Sequence, residues 1–237
     1  MADSNTLHLH PAHYQTLESI RIKRLLSQWC AQSQRPLSVL DYGFGTGKYL
    51  PVFSSLGMQV TGIDINPEYI ERARAQGYDA WHENQMESLD KKFDVIFLSH
   101  LIEHLAPDQL VLLLERLILM LADQGRLIIV CPTLGERFFY DFSHIRPYYP
   151  QSIRHAFGQS TSPLSYGASE QLVLRDIYFF KDPFRTRKWR SFYMPQSRYH
   201  RVTRWVNNAF DIAWRLSNGN IGAISSWLGV YTKPDRN

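Results

Sequence analysis

The chain has 237 residues, 44% of them hydrophobic, and a formal net charge of +4. This composition is ordinary for one globular domain with an appendage and excludes an intrinsically disordered chain. Two distant cysteines, Cys30 and Cys131, exclude a disulfide framework and a zinc-finger ligand set, and we predict no metal. The first residues lack the basic start and apolar run of a signal peptide. We therefore expect a cytoplasmic protein. A peripheral position at the inner membrane surface is the alternative.

The positive charge is concentrated late in the chain. Between Lys181 and Arg204 there are eight lysines and arginines against one acid, Asp182, which gives this segment +7 and leaves −3 for the remainder. The basic character therefore belongs to one segment and not to the whole fold.

Apolar runs and helical periodicity alternate along the first two thirds of the chain. A helix over 12–31 is followed by a strand at 37–40, and the second helix over 47–56 precedes a strand at 59–64. Asn66 and Pro67 are a helix start signal. Later strands are predicted at 77–82, 93–99 and 126–132, with an apolar helix from 107 to 121. Strands alternating with helices predict an α/β fold with a doubly wound, mostly parallel sheet.

Three glycines follow the first strand at alternate positions, as Gly43, Gly45 and Gly47, directly after Asp41 and Tyr42. Glycine allows positive φ and a close approach of the backbone to a ligand. A dinucleotide loop requires glycine at the sixth position of its motif, where this chain has lysine. An acid before such a turn favours a cationic ligand over a pyrophosphate.

This acid-x-Gly-x-Gly-x-Gly stretch resembles the first motif of class I S-adenosylmethionine-dependent methyltransferases of the type 11, 12 and 23 subgroup. The resemblance covers roughly residues 37–150 and implies S-adenosylmethionine as cofactor, held by Asp41 to Gly47. It further implies that Asp64 binds the adenosyl ribose and that Ile65 packs on adenine. An alternative for Asp64 is a purely local role at the start of the next helix.

Two further loops carry the resemblance. After the third strand it places Gln85 at the position of an adenine-binding acid and Met86 at the following apolar position, although Gln85 departs from the pattern. After the fourth strand it places Ser99 and His100 opposite the methyl donor, ahead of the triplet Glu103-His104-Leu105. The chain lacks the Asn/Asp-Pro-Pro-Tyr tetrad of enzymes that methylate ring-amino groups of bases.

A stretch rich in aromatic residues follows the fifth strand and resembles the Asp-x-x-His-x-Arg pattern of a subgroup that acts on glycan, lipid-linked or quinone-type substrates. His144 is a candidate general base with Asp141 orienting it, and His100 is the other candidate base. An equally weighted alternative is that Asp141 and His144 form a structural corner.

The sixth and seventh strands are predicted at 171–181 and 224–234, completing a seven-stranded Rossmann-like methyltransferase sheet. The sequence divides into an N-terminal helical segment (1–36), a core (37–181), a basic and aromatic helical insertion (182–223) and a closing strand (224–237). Three interpretations of the insertion stay open: a packed lid or dimer contact, membrane contact through residues 181–214, and a nucleic-acid patch, the last being the least favoured.

These features predict an S-adenosylmethionine-dependent methyltransferase that methylates an oxygen of a small-molecule, glycan or lipid-linked acceptor. The alternatives are a nicotinamide-dependent Rossmann oxidoreductase and a non-catalytic, methyltransferase-like binding domain. The sequence does not fix the oligomeric state.

Overall fold

The computed structural model describes residues 14–158 and 168–235. The described residues form two compact units: one comprises residues 14–22 with 179–225, and the other comprises 23–158 and 168–178 with 226–235. The strands are β1 (Ser38–Tyr42), β2 (Gln59–Asp64), β3 (Asp79–His82), β4 (Phe93–Ser99), β5 (Leu121–Pro132), β6 (Val173–Asp182) and β7 (Ala223–Thr232). The α-helices are α1 (Tyr14–Gln32), α2 (Leu50–Ser55), α3 (Pro67–Ala75), α4 (Pro107–Met120), α5 (Pro150–Phe157), α6 (Arg190–Tyr193) and α7 (His200–Leu216). Short 3₁₀ helices span Glu83–Ser88, Ile102–His104 and Glu136–Tyr140.

The seven strands form one sheet in the order β3-β2-β1-β4-β5-β7-β6. Strand β1 pairs in parallel with β2 and β4, β2 pairs in parallel with β3, and β4 with β5. Strand β7 is antiparallel to β5, with Val130 opposite Leu228. The predicted fold class, a doubly wound and mostly parallel sheet, is confirmed.

The central strands are covered on both faces, which explains their continuous apolar sequences. Five of the seven residues of β4 are buried, and Ile96 and Phe97 are fully inaccessible. Tyr49 and Phe53 pack edge-on against Phe97, with ring centroids 4.8 and 5.4 Å away. This packing fixes the carboxyl ends of β1 and β4, where the candidate site lies.

Several element boundaries differ from the predictions, and the structure gives a reason for three of them. Helix α2 begins at Leu50, not at residue 47, because the backbone of the preceding glycine turn has positive φ through Gly47. Strand β5 begins at Leu121, not at residue 126, because Leu121 pairs with Phe93 across an irregularity in the register. Helix α4 correspondingly ends one residue earlier than predicted.

The smaller unit contains α6, α7 and the adjoining ends of β6 and β7. One side of α7 is fixed by hydrogen bonds to the segment that precedes it. Arg185 donates from Nη2 to Asp211 at 2.6 Å, and the Thr186 amide donates to Asn207 Oδ1 at 3.0 Å. Trp214 Nε1 donates to the carbonyl of Lys181 at 2.6 Å. In the described part of the chain, no helix is long and apolar enough to cross a membrane.

Candidate functional site

The glycine turn joins the tip of β1 to α2 with a backbone that favours glycine at each of its three positions. Gly43 has φ +74°, and its amide donates to the carbonyl of Ile63 at 2.7 Å. Gly45 has φ +54°, and a Cβ added there would meet no atom within 4 Å. The turn therefore leaves open space beside Gly45, as a loop built to approach a ligand would.

Asp64 ends β2 next to this turn and is oriented by two backbone amides. Its Oδ2 accepts from Gly45 N at 2.7 Å, and its Oδ1 accepts from Asn66 N at 2.8 Å. Asn66 in turn caps α3 by accepting from Glu68 N, as predicted. Each carboxylate oxygen retains a lone pair, so Asp64 has the capacity to accept hydrogen bonds from a pair of neighbouring hydroxyls.

Asp41 lies at the end of β1 and is buried, with 2% of its surface exposed. Its Oδ2 has no hydrogen-bond partner among the described residues. Burial, with the charge of Asp64 as a smaller contribution, raises the pKa of Asp41 to about 8. A buried carboxyl group without a partner is costly, and a cationic or hydrogen-donating ligand would relieve that cost.

A cavity of about 690 Å³ opens beside the turn. Four of the predicted cofactor-binding residues line it: Tyr42, Gly43, Asp64 and Ile65. The Ile65 side chain is 68% exposed although it follows a buried strand, which is the position expected of a side chain that packs on a flat ligand. The cavity is also lined by residues that the sequence interpretation missed, namely Asn66, Tyr69, Glu83, Leu101, His104, Leu105, Gln109, Leu112, Leu113 and Arg116.

Glu83 is the most informative of the missed residues. Its Oε1 accepts a hydrogen bond from the Tyr42 hydroxyl at 2.7 Å. Burial and this carboxylate together raise the pKa of Tyr42, so the hydroxyl stays protonated and holds Glu83 at the cavity. Its place in the sequence could have indicated this role, because Glu83 directly follows β3 and precedes Gln85, the residue chosen from the resemblance, by two positions.

Gln85 and Met86 do not line this cavity. Gln85 Oε1 accepts from the His82 amide at 3.2 Å as part of a capping box, and Met86 is buried in the hydrophobic core. Asp41, Gly45, Gly47 and Ser99 are also absent from the cavity lining. Ser99 is the last residue of β4, paired with Val130. The proposed contacts of all six residues with a cofactor stay predictions.

His100 follows Ser99 with φ +53°, a left-handed conformation that is uncommon outside glycine and concentrates at functional sites. Its Nδ1 lies 3.5 Å from Oε1 of Glu103, whose side chain is fully buried. Neither carboxylate oxygen of Glu103 has a hydrogen-bond partner among the described residues. Glu103 was not predicted as a site residue, and its burial could not be read from the sequence.

Asp141 and His144 form a local corner. Asp141 Oδ1 accepts from the Ser143 amide at 2.9 Å and from its hydroxyl at 2.6 Å, and these bonds lower the pKa of Asp141. The Nδ1 of His144 lies 2.7 Å from the Phe138 carbonyl, and its Nε2 lies 3.9 Å from Asp141.

The corner meets the turn after β4 through His104, whose ring centroid is 4.8 Å from that of His144. One carboxylate oxygen of Glu103 and one ring nitrogen from each of His104 and His144 lie within 4.8 Å of one another. His104 lines the cavity, whereas His100, Asp141 and His144 do not. The structure therefore brings the two candidate bases near one buried carboxylate.

Comparison with known proteins gives one family and several structural neighbours. The family model described as a methyltransferase domain, Methyltransf_23, matches residues 13–160. A S-adenosylmethionine-dependent methyltransferase from Archaeoglobus fulgidus is similar in structure, with a TM-score of 0.56, 20% identity, and 91% of this chain and 94% of that one covered.

Two other neighbours cover nearly the whole chain. The YcgJ protein from Bacillus subtilis has a TM-score of 0.53 at 20% identity and covers 89% of this chain and 98% of its own. The 1,6-didemethyltoxoflavin-N1-methyltransferase from Burkholderia thailandensis, with 1,6-didemethyltoxoflavin and S-adenosylhomocysteine bound, has a TM-score of 0.51 at 15% identity and covers 99% and 98%. The search of curated proteins finds no match.

Proposed function

The chain belongs to the methyltransferase domain family, and from this premise we propose that it transfers the methyl group of S-adenosylmethionine to a hydroxyl of a small-molecule, glycan or lipid-linked acceptor. The observation that carries the proposal is the pair of buried acids beside an open glycine turn. Oδ2 of Asp41 lacks a hydrogen-bond partner among the described residues, and Asp64, which lines the cavity, is held by two amides.

The residues fit a cationic nucleoside. When bound, S-adenosylmethionine supplies a methyl group on a positively charged sulfur. Asp64 would accept hydrogen bonds from the two ribose hydroxyls, and Ile65 would cover one face of the base. A bound cation would lower the raised pKa of Asp41, and the carboxylate so formed would contribute negative charge in a site of low dielectric, where electrostatic interactions are stronger than in water. Gly45 would allow the backbone to approach the ligand without a steric clash.

Oxygen methylation requires that the acceptor hydroxyl lose its proton, and His100 is the residue we assign to that step. It stands at the tip of β4 in a strained conformation, and the Glu103 carboxylate lies against its Nδ1. This contact orients the ring and stabilises the imidazolium that forms when Nε2 accepts a proton. His144, tied to the Phe138 carbonyl, stays the alternative base.

A small-molecule acceptor agrees with the presence of 1,6-didemethyltoxoflavin in one structural neighbour. The glycan and lipid-linked classes rest on the resemblance of residues 141–146 to a subgroup with such substrates. These classes differ in size, so a screen of acceptors by release of S-adenosylhomocysteine would separate them.

Isothermal titration calorimetry with S-adenosylmethionine and S-adenosylhomocysteine tests the donor site. We expect both to bind the wild-type chain, and Asp64→Asn to weaken binding by about 10- to 150-fold, since a hydrogen bond to a charged group contributes about 1.5–3 kcal/mol.

The matched control is Glu71→Gln, which neutralises an exposed acid of α3 that does not line the cavity. Its affinity should equal that of the wild type. Absence of binding by the wild-type chain, or equal affinities in wild type and Asp64→Asn, would overturn the assignment.

A further inference from the structure

Helix α7 makes its polar contacts on the side that packs against its own unit, and it exposes an apolar side. Polar side chains on one side of the helix bind its own unit: Thr203 shares a 2.6 Å hydrogen bond with Ser191, Asn207 accepts from Thr186, and Asp211 pairs with Arg185. Two aromatic residues lie on the same side, Trp214, which is 8% exposed, and Phe210, whose ring centroid is 5.9 Å from that of Phe184. Thr203 is 2% exposed. A helix at the surface of a globular protein ordinarily buries its apolar stripe, so this arrangement leaves the apolar side to be explained.

The opposite side of α7 is apolar and exposed. Trp205 is 79% exposed and Leu216 is 81% exposed. Spacings of three and four residues place the exposed side chains on one stripe along the whole helix. This stripe, called here the outer face, consists of Val202, Trp205, Ala209, Ile212 and Leu216.

The charges around the outer face have one sign. Residues 179–225 contain nine lysines and arginines and only two acids, Asp182 and Asp211. Asp182 is 5% exposed, and the Asp211 side chain is 14% exposed and paired with Arg185. Arg201, Arg204 and Arg215 are exposed along α7 beside the outer face. The acids are therefore withdrawn from the surface, and the cations remain on it.

We propose that the outer face of α7 docks on the surface of an anionic lipid bilayer. An interfacial helix buries a stripe of apolar and tryptophan side chains at the level of the headgroups, while flanking arginines bind anionic lipids. A second copy of the chain would bring the same arginines against one another, which disfavours a symmetric dimer through this face. This docking is independent of the methyl transfer proposed above.

Co-sedimentation with vesicles tests the docking. The probes are vesicles of phosphatidylcholine alone and vesicles that contain about one third phosphatidylglycerol. We expect the full chain to sediment with the anionic vesicles at least about tenfold more than with the neutral ones. The double variant Trp205→Gln with Leu216→Gln should lose at least about tenfold of this partition.

Two controls keep the test specific. Leu119→Gln replaces a leucine of α4 that is 54% exposed and should sediment like the wild type. Arg201→Gln with Arg204→Gln leaves every apolar residue in place and should reduce anionic binding only. Circular dichroism of each variant establishes that α7 remains folded.

Four results would overturn the proposal. The first is wild-type chain that stays in the supernatant with anionic vesicles at low salt. The second is a double variant that sediments as the wild type does. The third is a wild-type dimer in light scattering that becomes a monomer in the double variant, which would assign the outer face to a second copy. The fourth is a wild-type chain that binds RNA but not vesicles, together with a double variant that no longer binds RNA, which would assign the outer face to nucleic acid.

Discussion

The glycine-turn cavity and helix α7 use charge in opposite ways. Beside the glycine turn, the acids Asp41 and Asp64 are buried. In residues 179–225, both acids are withdrawn from the surface and the exposed charges are positive. The net charge of the whole chain, +4, therefore describes neither region. A buried pair of acids selects a small cationic ligand at short range, whereas an exposed basic surface attracts extended anions and is screened by salt.

The largest expected effect is on catalysis. His100→Ala should lower kcat by about 10²- to 10⁴-fold, because general base catalysis typically contributes that much. Affinity for S-adenosylhomocysteine should stay within about twofold, since His100 does not line the cavity. Added imidazole should restore part of the rate, which a merely structural defect would not allow.

The same measurement on His144→Ala separates the two candidate bases. If His144→Ala loses activity and responds to imidazole while His100→Ala does neither, the base is His144 and our assignment is wrong.

The next effect is on the stability of the α7 unit. Asp211→Ala leaves the guanidinium of Arg185, whose side chain is 8% exposed, without its carboxylate. Breaking one partner of a buried ion pair costs about 3–5 kcal/mol. Hydrogen exchange in α7 should accelerate accordingly.

A matched exposed pair provides the control. Asp235 pairs with Arg175 at 2.8 Å with its side chain 83% exposed, so Asp235→Ala should cost less than about 1 kcal/mol. Equal destabilisation by the two variants would show that the inner side of α7 is not held by its ion pair.

Salt sharpens the comparison of the two regions. Raising the salt concentration from about 0.1 M to about 0.5 M should weaken vesicle binding by α7 by about tenfold or more, because exposed charges are screened. Binding of S-adenosylhomocysteine should change by less than about twofold, because Asp41 and Asp64 are buried and therefore weakly screened. Equal salt sensitivity in both assays would contradict the assignment of buried charges to the donor site and exposed charges to α7.

The smallest effect concerns pH. Folding raises the pKa of Asp41 from 3.8 to about 8, so between these values the folded chain keeps a proton that the unfolded chain has released. The free energy of unfolding therefore falls as pH rises through this window. Asp41→Asn is neutral throughout and removes this loss. In thermal unfolding without ligand, its Tm should exceed that of the wild type by at least about 2 °C at pH 9 and by less at pH 4. A constant difference across this range would contradict the burial of an ionisable Asp41.

Local sequence signals were sufficient for much of the fold. The predicted bounds of β2 and β4 and the predicted starts of α3 and α4 match the structure, because apolar runs between turn signals and a proline at a helix start are unambiguous. The resemblance to class I methyltransferases is confirmed by the family match. The spacing of the glycines also indicated which sheet edge would carry the site.

What the sequence could not predict depends on packing between distant segments. Glu103 is fully buried, and Glu83 reaches the cavity through its bond to Tyr42; neither follows from periodicity. Helical spacing in the insertion predicts one apolar stripe, which consists of Val202, Trp205, Val206, Ala209, Phe210 and Trp214. These residues lie on two sides of α7. The structure buries Trp214 and exposes Trp205, because the inner side is chosen by polar partners such as Ser191 and Arg185, which the apolar pattern does not reveal.

A crystal structure of the chain with S-adenosylhomocysteine tests the central claim most directly. We expect the ligand to lie in the cavity beside the glycine turn, with its ribose hydroxyls within hydrogen-bond distance of Asp64 and its adenine against Ile65. A ligand bound elsewhere, or a ribose that does not contact Asp64, would contradict it.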